Sequence, residues 1–502
     1  MDHLRSPSPL TRRSFIGAGL SGAALLALAA CAPTAPFLSP TSRAVADAEA
    51  ARKVSGATTR LALRAGTGTL DLAGTIAQTW SYGAVPAPVI RLKRGDTLDA
   101  TLENTMPEAT TIHWHGVALR NDMDGVPGVT QDPVAAGASY RYTFAAPDAG
   151  TYWFHPHVGT QLDRGLYGAL IVEDPQEPLA YDDEWVVILD DWLDGVTSTP
   201  PKVFAELSQG MGDMKGMGGT GRRMGNLLME SASKPLGGDA GDVYYPHYLI
   251  NGRPPADPET FTSAPGKRVR IRMINVGADT AFRVALSGHR LTLTHSDGFP
   301  VDPVDVDSVL LGMGERYDVI VTLGDGAFAL VAEAEGKGAR AFAVVRTGSG
   351  ATPPVDLTVS ELSGRLGTAD TLRAAAEVAL PIRDPDLEIT IRLRGNMAKY
   401  NWSLDGKPFS PDAPMDNAHP ITAGERVRIN FVNTTTMWHP MHLHGHTYQH
   451  ANGGPRKDTS IVLPGRTLSV DFDANNPGRW LTHCHNLYHG EAGMIGALAY
   501  TQ

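Results

Sequence analysis

Cysteine is nearly absent from this chain, and so is any excess of positive charge. Only two of the 502 residues are cysteines, and one of them, Cys31, lies in an N-terminal leader. The other, Cys484, therefore cannot form a disulfide within the body of the protein. The formal charge of -11 argues against nucleic acid as a partner and is mildly favourable for the approach of cations.

The leader resembles an export signal. Two adjacent arginines precede an apolar stretch at 17–30, which is the pattern of a twin-arginine signal and is too short for a membrane span of about 20 residues. The leader has two candidate cleavage sites: a lipoprotein-like box ending at Cys31, or a peptidase-like site at 44–46. We predict a leader at 1–46 outside the fold, use of the twin-arginine export machinery, and a periplasmic protein that is membrane-tethered if Cys31 carries a lipid anchor.

Cys484 stands in a run of metal-binding side chains. His483 and His485 flank it, His489 follows five residues later, and Met494 follows ten residues later. A cysteine, a histidine and a weak thioether ligand, together with one more histidine, make the donor set of a blue-copper electron-transfer site. His439 is the natural candidate for that second histidine, because it lies off the face of the nearby 442/444 pair.

Alternation along an extended segment divides this run between two sites. Successive side chains of a strand point to opposite faces, so His483 and His485 face one way and Cys484 faces the other. A metal held by Cys484 would then be joined through a few covalent bonds to metal on the far side of the strand.

Three further His-x-His pairs supply candidates for that far side. One such pair on a strand is usually an ordinary polar face, but four pairs are hard to assign to packing. Zinc would suit imidazole and thiolate ligands, yet it does not explain eight paired histidines beside a Cys/His/His/Met set. The four pairs are His113/His115, His155/His157, His442/His444 and His483/His485.

An internal repeat indicates three copies of one β-domain. A Gly-to-Asn interval of nine residues, with alternating apolar and polar positions between, occurs at 95–104, 266–275 and 424–433, and this alternation is typical of half-buried strands. We predict domains at 58–176, 184–346 and 385–502, with a linker at 347–384.

The histidine pairs fall at equivalent places in the first and third copies, nine residues after Asn104 and nine after Asn433. The middle copy has no pair there and is interpreted as a spacer, so a multi-metal cluster is expected between domains one and three. Domain one has Pro156, Gln161 and Leu166 where domain three has the cysteine, the last histidine and the methionine. Electrons are therefore expected to enter through domain three alone.

With these motifs, and with the segments 124–131 and 165–168, the chain resembles the three-domain multicopper oxidases, a family that includes laccases and bacterial cuprous oxidases. The resemblance implies an all-β protein of three cupredoxin-like Greek-key β-barrels that oxidises its substrate one electron at a time and reduces O₂ to water. It also implies four copper ions: type 1 held by His439, Cys484, His489 and axial Met494, type 2 by His113 and His442, and a type 3 pair by His115, His155, His157, His444, His483 and His485.

Oxygen reduction consumes protons, so acids near the cluster are candidate catalytic residues. Asp124 matches the acid that the family places near type 2 copper, although its position before Gly125 also suits a turn aspartate. Some cuprous oxidases have an acid directly after the second type 1 histidine. Here that residue is Gly490 and Glu491 follows it, so Glu491 is the second candidate.

The methionines favour Cu(I) as the substrate. The segment 211–229 is rich in Met and Gly, and Met211, Met214 and Met217 lie among glycines that would interrupt a core helix, whereas soft thioethers prefer Cu(I). Met437 matches a thioether that cuprous oxidases place beside type 1 copper, but Thr435 stands where those enzymes carry an acid. We therefore expect oxidation of Cu(I) to Cu(II); a laccase-like oxidase of phenols or aromatic amines and a periplasmic copper-sequestering protein are the alternatives.

Overall fold

The computed structural model describes residues 36–210, 222–229 and 231–502, so most of the leader, including Cys31, and the methionines at 211, 214 and 217 lie outside the described residues. Its strands fall into three groups, and each group forms two main sheets that pack against each other. The predicted all-β class is confirmed. None of the helices in the described part of the chain is long and apolar enough to cross a membrane.

The first group forms sheets in the orders β2-β1-β4-β6 and β3-β8-β7-β5. Non-consecutive strands are neighbours in both sheets, as in Greek-key barrels. Short 3₁₀ turns cover Asn121–Met123 and Gly159–Asp163. The strands are β1 Thr58–Leu72, β2 Thr75–Ser81, β3 Ala87–Lys93, β4 Thr97–Asn104, β5 His113–His115, β6 Ser139–Ala145, β7 Gly150–His155 and β8 Gly168–Glu173.

The middle group begins with β9 Asp183–Trp192 and the helix Pro200–Leu207, and its two six-stranded sheets have the orders β14-β9-β16-β21-β18-β19 and β15-β23-β22-β17-β20-β24. Two small hairpins lie outside these sheets. The remaining strands are β10 Arg222–Met224, β11 Leu227–Met229, β12 Ala232–Ser233, β13 Gly238–Asp239, β14 His247–Ile250, β15 Glu259–Thr262, β16 Arg268–Asn275, β17 Phe282–Leu286, β18 Leu291–Ser296, β19 Phe299–Val306, β20 Ser308–Leu311, β21 Arg316–Thr322, β22 Ala327–Ala334 and β23 Ala339–Arg346.

The segment predicted as a linker contributes one short strand to the middle group, β24 Leu366–Gly367, between 3₁₀ turns at Ser360–Ser363 and Ala369–Thr371. The last group then forms sheets β26-β25-β28-β33-β30-β31 and β27-β35-β34-β29-β32. Its helix is Leu487–Glu491, and its strands are β25 Leu387–Arg394, β26 Ser403–Leu404, β27 Ala418–Ile421, β28 Arg426–Asn433, β29 His439–Leu443, β30 Tyr448–His450, β31 Arg456–Lys457, β32 Thr459–Val462, β33 Thr467–Asp473, β34 Arg479–Cys484 and β35 Ile495–Tyr500.

The repeated asparagine has the same task in all three groups. Asn104, Asn275 and Asn433 end β4, β16 and β28, and each is almost completely buried. In each case the side-chain amide donates to two backbone carbonyls across the following loop, and the side-chain oxygen accepts from the backbone N–H two residues later. The loop after the strand is therefore fixed, and in the first and third groups that loop leads to the first histidine pair.

Residues 36–46 are packed against the barrels, so the prediction that residues 1–46 lie outside the fold is wrong for this part. Phe37 forms a bridge to Thr501, the N–H of Leu38 donates to Tyr500, and Val45 is buried within the helix Arg43–Ala50. These apolar side chains lose contact with water by covering the third group. The peptidase-like site at 44–46 thus lies inside a packed helix.

Candidate metal centre

Strand β34 separates two groups of metal-binding side chains. His442 of β29 pairs with His483, and Met441 pairs with Cys484, so the alternation of the two strands is in register. Cys484 Sγ lies 3.6 Å from His439 Nδ1 and 3.9 Å from His489 Nδ1. We call His439, Cys484 and His489 the thiolate site. The histidines of the four His-x-His pairs, which we call the histidine cluster, lie on the other side.

The thiolate site is fully enclosed and its donors converge. His439 Nδ1 and His489 Nδ1 are 3.1 Å apart, and Met494 is completely buried, with its carbonyl accepting from the N–H of Cys484 at 3.0 Å. Asn486 caps the helix that carries His489 by accepting from its N–H. Burial raises the pKa of the Cys484 thiol, so a thiolate at this position requires a bound cation.

The histidine cluster joins domains one and three. The rings of His113 and His444 stack with centroids 3.8 Å apart, as do those of His115 and His442. His444 Nε2 and His157 Nε2 lie 3.1 Å and 3.5 Å from His483 Nε2. Three sets place one ligand nitrogen of each member within 4.8 Å of the others, and they are His113/His115/His442, His115/His155/His485 and His157/His444/His483.

Backbone carbonyls fix the orientation of four of these rings. The Nδ1 atoms of His113, His155, His442 and His483 donate to carbonyls at 2.8–3.0 Å, which leaves Nε2 as the free lone pair. His115 is reversed, because its Nε2 lies 3.1 Å from Asp458 Oδ1 and 3.0 Å from Thr459 Oγ1. Because side chains alternate between the two faces of β5 and β7, their histidine rings lie on one face, and the free ring nitrogens converge.

This environment suits a transition metal. Burial, reinforced by the neighbouring imidazoles, lowers the pKa of seven of the eight cluster histidines, so these rings are neutral and keep a lone pair. Among the described residues, His113 Nε2, His155 Nε2, His442 Nε2 and His115 Nδ1 are buried without a hydrogen-bond partner. Leaving such atoms unpaired costs about 1–3 kcal/mol each, and bound metal ions would satisfy them.

Comparison with known proteins identifies the family. Three family models, each described as multicopper oxidase, match residues 65–177, 183–349 and 383–502. The multicopper oxidase MmcO of Mycobacterium tuberculosis is 46% identical over 98% of this chain and 96% of its own length. This chain belongs to the multicopper oxidase family. It is an oxidoreductase with copper as its cofactor, and it couples oxidation of a substrate to reduction of O₂.

Two further relatives extend the comparison. Copper resistance protein A of Escherichia coli is 31% identical to the oxidase over 82% of this chain and 87% of its own length. The crystal structure of a laccase from Botrytis aclada superimposes with a TM-score of 0.74, covering 93% of this chain and 92% of that one at 24% identity. This likeness extends to the fold alone and is consistent with the predicted cupredoxin-like barrels.

The structure brings Asp124 into contact with the cluster. Its Oδ2 lies 2.9 Å from His444 Nδ1, and its backbone carbonyl and Oδ1 lie 2.9 Å and 3.2 Å from His113 Nδ1. The side chain is buried. Asp124 is therefore a neighbour of histidines from both domains and not only a turn residue before Gly125, whose φ of +79° suits glycine.

Glu491 lies where an outer cleft meets a small cavity beside the cluster. It lines a small cavity of about 30 Å³ with His155, His157 and His483, and it also lines an adjoining cleft of about 270 Å³. Burial raises the pKa of Glu491 to about 7. The acid that sequence analysis placed second is thus within reach of both water and the cluster.

Two functional neighbours were not identified from the sequence. Asp242 Oδ2 lies 2.9 Å from His489 Nε2 at the thiolate site, and Asp458 touches His115. Thr435, at the position where related enzymes carry an acid, lies with Oγ1 2.8 Å from His439 Nε2. An acid, Asp242, is therefore present at the thiolate site. It comes from the middle domain and contacts His489, whereas Thr435 contacts His439.

Of the four methionines predicted to bind Cu(I), the structure describes Met437 and not the other three. Met437 is buried in the core of domain three, at the end that carries the thiolate site. Met224, at the C-terminal side of the Met-rich segment, is exposed. Met211, Met214 and Met217 fall between residues 210 and 222, outside the described residues.

Proposed function

We propose that the oxidase holds four copper ions and that its physiological reaction is oxidation of Cu(I) to Cu(II). The thiolate site would hold type 1 copper with Met494 as axial ligand. In the histidine cluster, His113 and His442 would hold type 2 copper, and the sets His115/His155/His485 and His157/His444/His483 would each hold one type 3 copper. The carrying observation is that the converging donors lie on opposite sides of one strand, next to each other in sequence.

This arrangement supports rapid internal electron transfer. Bound copper supplies the one-electron redox chemistry and the oxygen-binding site. The chain supplies the connection, because the thiolate ligand and two cluster ligands are consecutive residues, and the Nδ1 of His483 is 3.0 Å from the carbonyl oxygen of Cys484. An electron that enters at Cys484 has a short covalent and hydrogen-bonded route across β34.

Protons are proposed to come from the two acids that lie beside the cluster, Asp124 and Glu491. Asp124 is buried between His113 and His444, so it would relay protons beside the type 2 position. Glu491 lies where the outer cleft meets the small cavity, so it would exchange protons with water. General acids of this kind typically contribute about 10²–10⁴-fold to a rate.

Electron entry from a small ion fits the surroundings of the thiolate site better than entry from a bulky phenol. His489 is completely buried, its Nε2 is taken by Asp242, and the ring of Trp402 lies over it with centroids 4.3 Å apart. The hydroxyl of Tyr400 donates to the same carboxylate at 3.1 Å. A small cation attracted to the Asp242 carboxylate would connect to His489 through that carboxylate. It would not need to contact the edge of the imidazole ring.

The last described residue before the Met-rich segment lies close to that route. Gly210, directly before it, packs on the backbone of Ala398, where an added Cβ would lie 2.2 Å from the carbonyl oxygen. Ala398 is two residues before Tyr400, which bonds to Asp242. Soft thioethers prefer Cu(I), and the relatives named for copper resistance support a copper substrate.

Oxygen consumption with three electron donors tests this proposal. Purified enzyme is assayed with Cu(I), with a substituted phenol and with no donor, after copper content and the absorption and spin-resonance spectra are recorded. Replacing Met211, Met214 and Met217 together by serine should lower the Cu(I) rate and spare the phenol rate, while Met224→Ser serves as control. A phenol rate that exceeds the Cu(I) rate supports a laccase-like task, and Cu(I) binding without oxygen uptake supports sequestration.

Localisation is proposed from the leader. The adjacent arginines and short apolar stretch support twin-arginine export to the periplasm, and the packing of residues 36–46 favours cleavage upstream of that segment, which is compatible with a lipid anchor at Cys31. Fractionation of cells expressing wild type and Arg12→Lys/Arg13→Lys protein tests this. Equal export of both proteins would contradict the twin-arginine route.

A further inference from the structure

The middle domain reaches the histidine cluster, although it carries no histidine pair. Its loop between β20 and β21 passes beside two cluster rings: a Cβ added to Gly314 would lie 2.9 Å from His485 Cδ2 and 3.1 Å from His115 Cε1. Gly314 has a φ of +84°, and its N–H donates to the carbonyl of Asn275. The loop is therefore held in place, and its backbone forms one wall of the cluster.

Arg316, at the start of β21, extends from this loop into the space between the three domains. It is completely buried. Its Nη1 and Nη2 donate to the two carboxylate oxygens of Asp458 at 2.7 Å and 2.6 Å, and its Nε donates to the carbonyl of Thr151 at 3.0 Å. One side chain of domain two thus contacts domain three through a paired hydrogen bond and domain one through its backbone.

Asp458 carries this contact to two cluster histidines. Its Oδ1 accepts from the Nε2 of His115 at 3.1 Å, and its backbone carbonyl accepts from the Nδ1 of His442 at 2.9 Å. The hydroxyl of Thr459 lies within 3.1 Å of both rings. The carboxylate accounts for the reversed orientation of His115, because an Nε2–H that donates outward leaves Nδ1 as the ligand nitrogen.

We propose that Arg316 is a positioning residue for the copper cluster, which orients the Asp458 carboxylate and through it the ring of His115. The inference rests on the proposed function, since it assumes that these histidines hold copper. It assigns the middle domain, interpreted from the sequence as a spacer, a direct part in shaping a site whose ligands all come from the other two domains.

The geometry of the guanidinium explains why arginine is suited to this task. Its planar fork matches both oxygens of a carboxylate, whereas a lysine ammonium is a point charge that does not fix the rotation of the carboxylate. Only one rotation brings Oδ1 to His115 while Oδ2 stays on Arg316. Partners that hold the outer nitrogen of a metal-binding histidine set its tautomer and ring orientation.

A second buried arginine provides a matched control. Arg270 lies in the same sheet of domain two, is 1% exposed, and donates to Asp318 at 2.7 Å and 3.0 Å and to Glu177 at 2.6 Å. It therefore has the same burial and the same type of partner, but it contacts no histidine of the cluster. If removing a buried positive charge simply destabilises the fold, replacing Arg316 or Arg270 should lower stability and copper binding alike.

The experiment compares Arg316→Met with Arg270→Met in the full-length oxidase. Copper is withdrawn with graded chelator, and the copper remaining per chain, the type 2 spin-resonance signal and the blue absorption of type 1 copper are measured, with thermal unfolding recorded in parallel. We expect cluster copper to be held about 10–100-fold more weakly in Arg316→Met, with altered type 2 hyperfine splitting and unchanged blue absorption. Arg270→Met should lower the unfolding temperature and leave cluster copper unaffected.

Arg316→Lys keeps the proposal testable if Arg316→Met does not fold. Lysine should restore folding but not cluster affinity, and Asp458→Asn should weaken the cluster as much as Arg316→Lys, with the double variant no worse than either. Normal cluster affinity in Arg316→Lys, or equal losses in Arg316→Met and Arg270→Met, would overturn the positioning role. A wild-type protein that binds no cluster copper would instead refute the proposed function.

Discussion

The two sides of strand β34 hold their histidines by different means. On the cluster side, four rings donate from Nδ1 to backbone carbonyls. On the thiolate side, the outer nitrogens of His439 and His489 meet side chains, the hydroxyl of Thr435 and the carboxylate of Asp242. The free nitrogen is consequently Nε2 for those four cluster rings and Nδ1 in the thiolate site.

This difference separates a fixed site from an adjustable one. A backbone carbonyl is present whatever the residue, so those four rings keep an acceptor at Nδ1 after a side-chain substitution, although Asp124 and Thr459 also lie near Nδ1 of His113 and His442. At the thiolate site a single substitution changes the charge next to a ligand, and outer partners tune a metal site. We therefore expect substitutions around the thiolate site to change donor oxidation and potential, and substitutions at the cluster to change copper retention and oxygen reduction.

Cys484→Ser should have the largest effect because it removes the only sulfur anion that joins the two sides. We expect complete loss of the blue absorption and of turnover, while copper bound by the cluster is retained. Absorption spectra, copper content and oxygen consumption measure this. Cys31→Ser, which changes the only other cysteine, should leave the colour unchanged, and a blue Cys484→Ser protein would refute the thiolate assignment.

Asp124→Asn should rank second, because the acid is buried between rings of both domains and water cannot readily replace it. We expect oxygen reduction to fall by about 10²–10⁴-fold with blue absorption intact and rapidly reduced by the donor. Glu491→Gln should cost less, since that residue faces a cleft from which water can supply protons. Stopped-flow reoxidation of the reduced enzyme separates the two, and a larger loss at Glu491 would reverse the proposed order.

Much of the fold and of the site was predictable because the relevant patterns are local. The strand ending at Asn433 alternates apolar and polar residues, and its burial alternates accordingly. His483, Cys484 and His485 are consecutive, so the period of two along a strand was enough to divide them between two sites. The asparagine repeat further related domain one to domain three without any knowledge of long-range contacts.

What the sequence did not reveal depends on contacts between distant segments. Asp242 reaches His489 from another domain, and Arg316 reaches Asp458 across a domain boundary, so no spacing or periodicity links them. The peptidase-like site at 44–46 predicts a leader that ends there, but the packing of 36–46 against 500–501 is a tertiary contact that the sequence does not show. A missing histidine pair likewise suggested a spacer, although a glycine and an arginine bring the middle domain to the cluster.

Asp242→Asn tests whether the thiolate site is adjustable, and it should have a smaller effect on activity than the two substitutions above. Asparagine keeps the size of the side chain but removes the negative charge beside His489, so we expect the Cu(I) rate to fall about 10-fold and the type 1 potential to rise. Steady-state rates and redox titration measure this. Asp239→Asn, a nearby acid that accepts from Ser231 and Gly241 and not from His489, is the control. An equal loss in both variants would show that the negative charge of the region matters and not the contact of Asp242 with His489.

Met494→Leu should have the smallest effect on activity and gives the sharpest test of tuning. Met494 is completely buried, and its carbonyl accepts from the N–H of Cys484 whatever the side chain, so the backbone at the site should persist. A Met-to-Leu exchange in a core costs less than about 1.5 kcal/mol, and removal of the weak axial thioether should raise the type 1 potential while blue colour and turnover remain. Redox titration of the blue absorption measures the shift.

Met441→Leu, at the buried position that pairs with Cys484 in the sheet, should leave the potential unchanged. Loss of type 1 copper from Met494→Leu would mean that the thioether builds the site instead of tuning it, and the thiolate side would then be as fixed as the cluster.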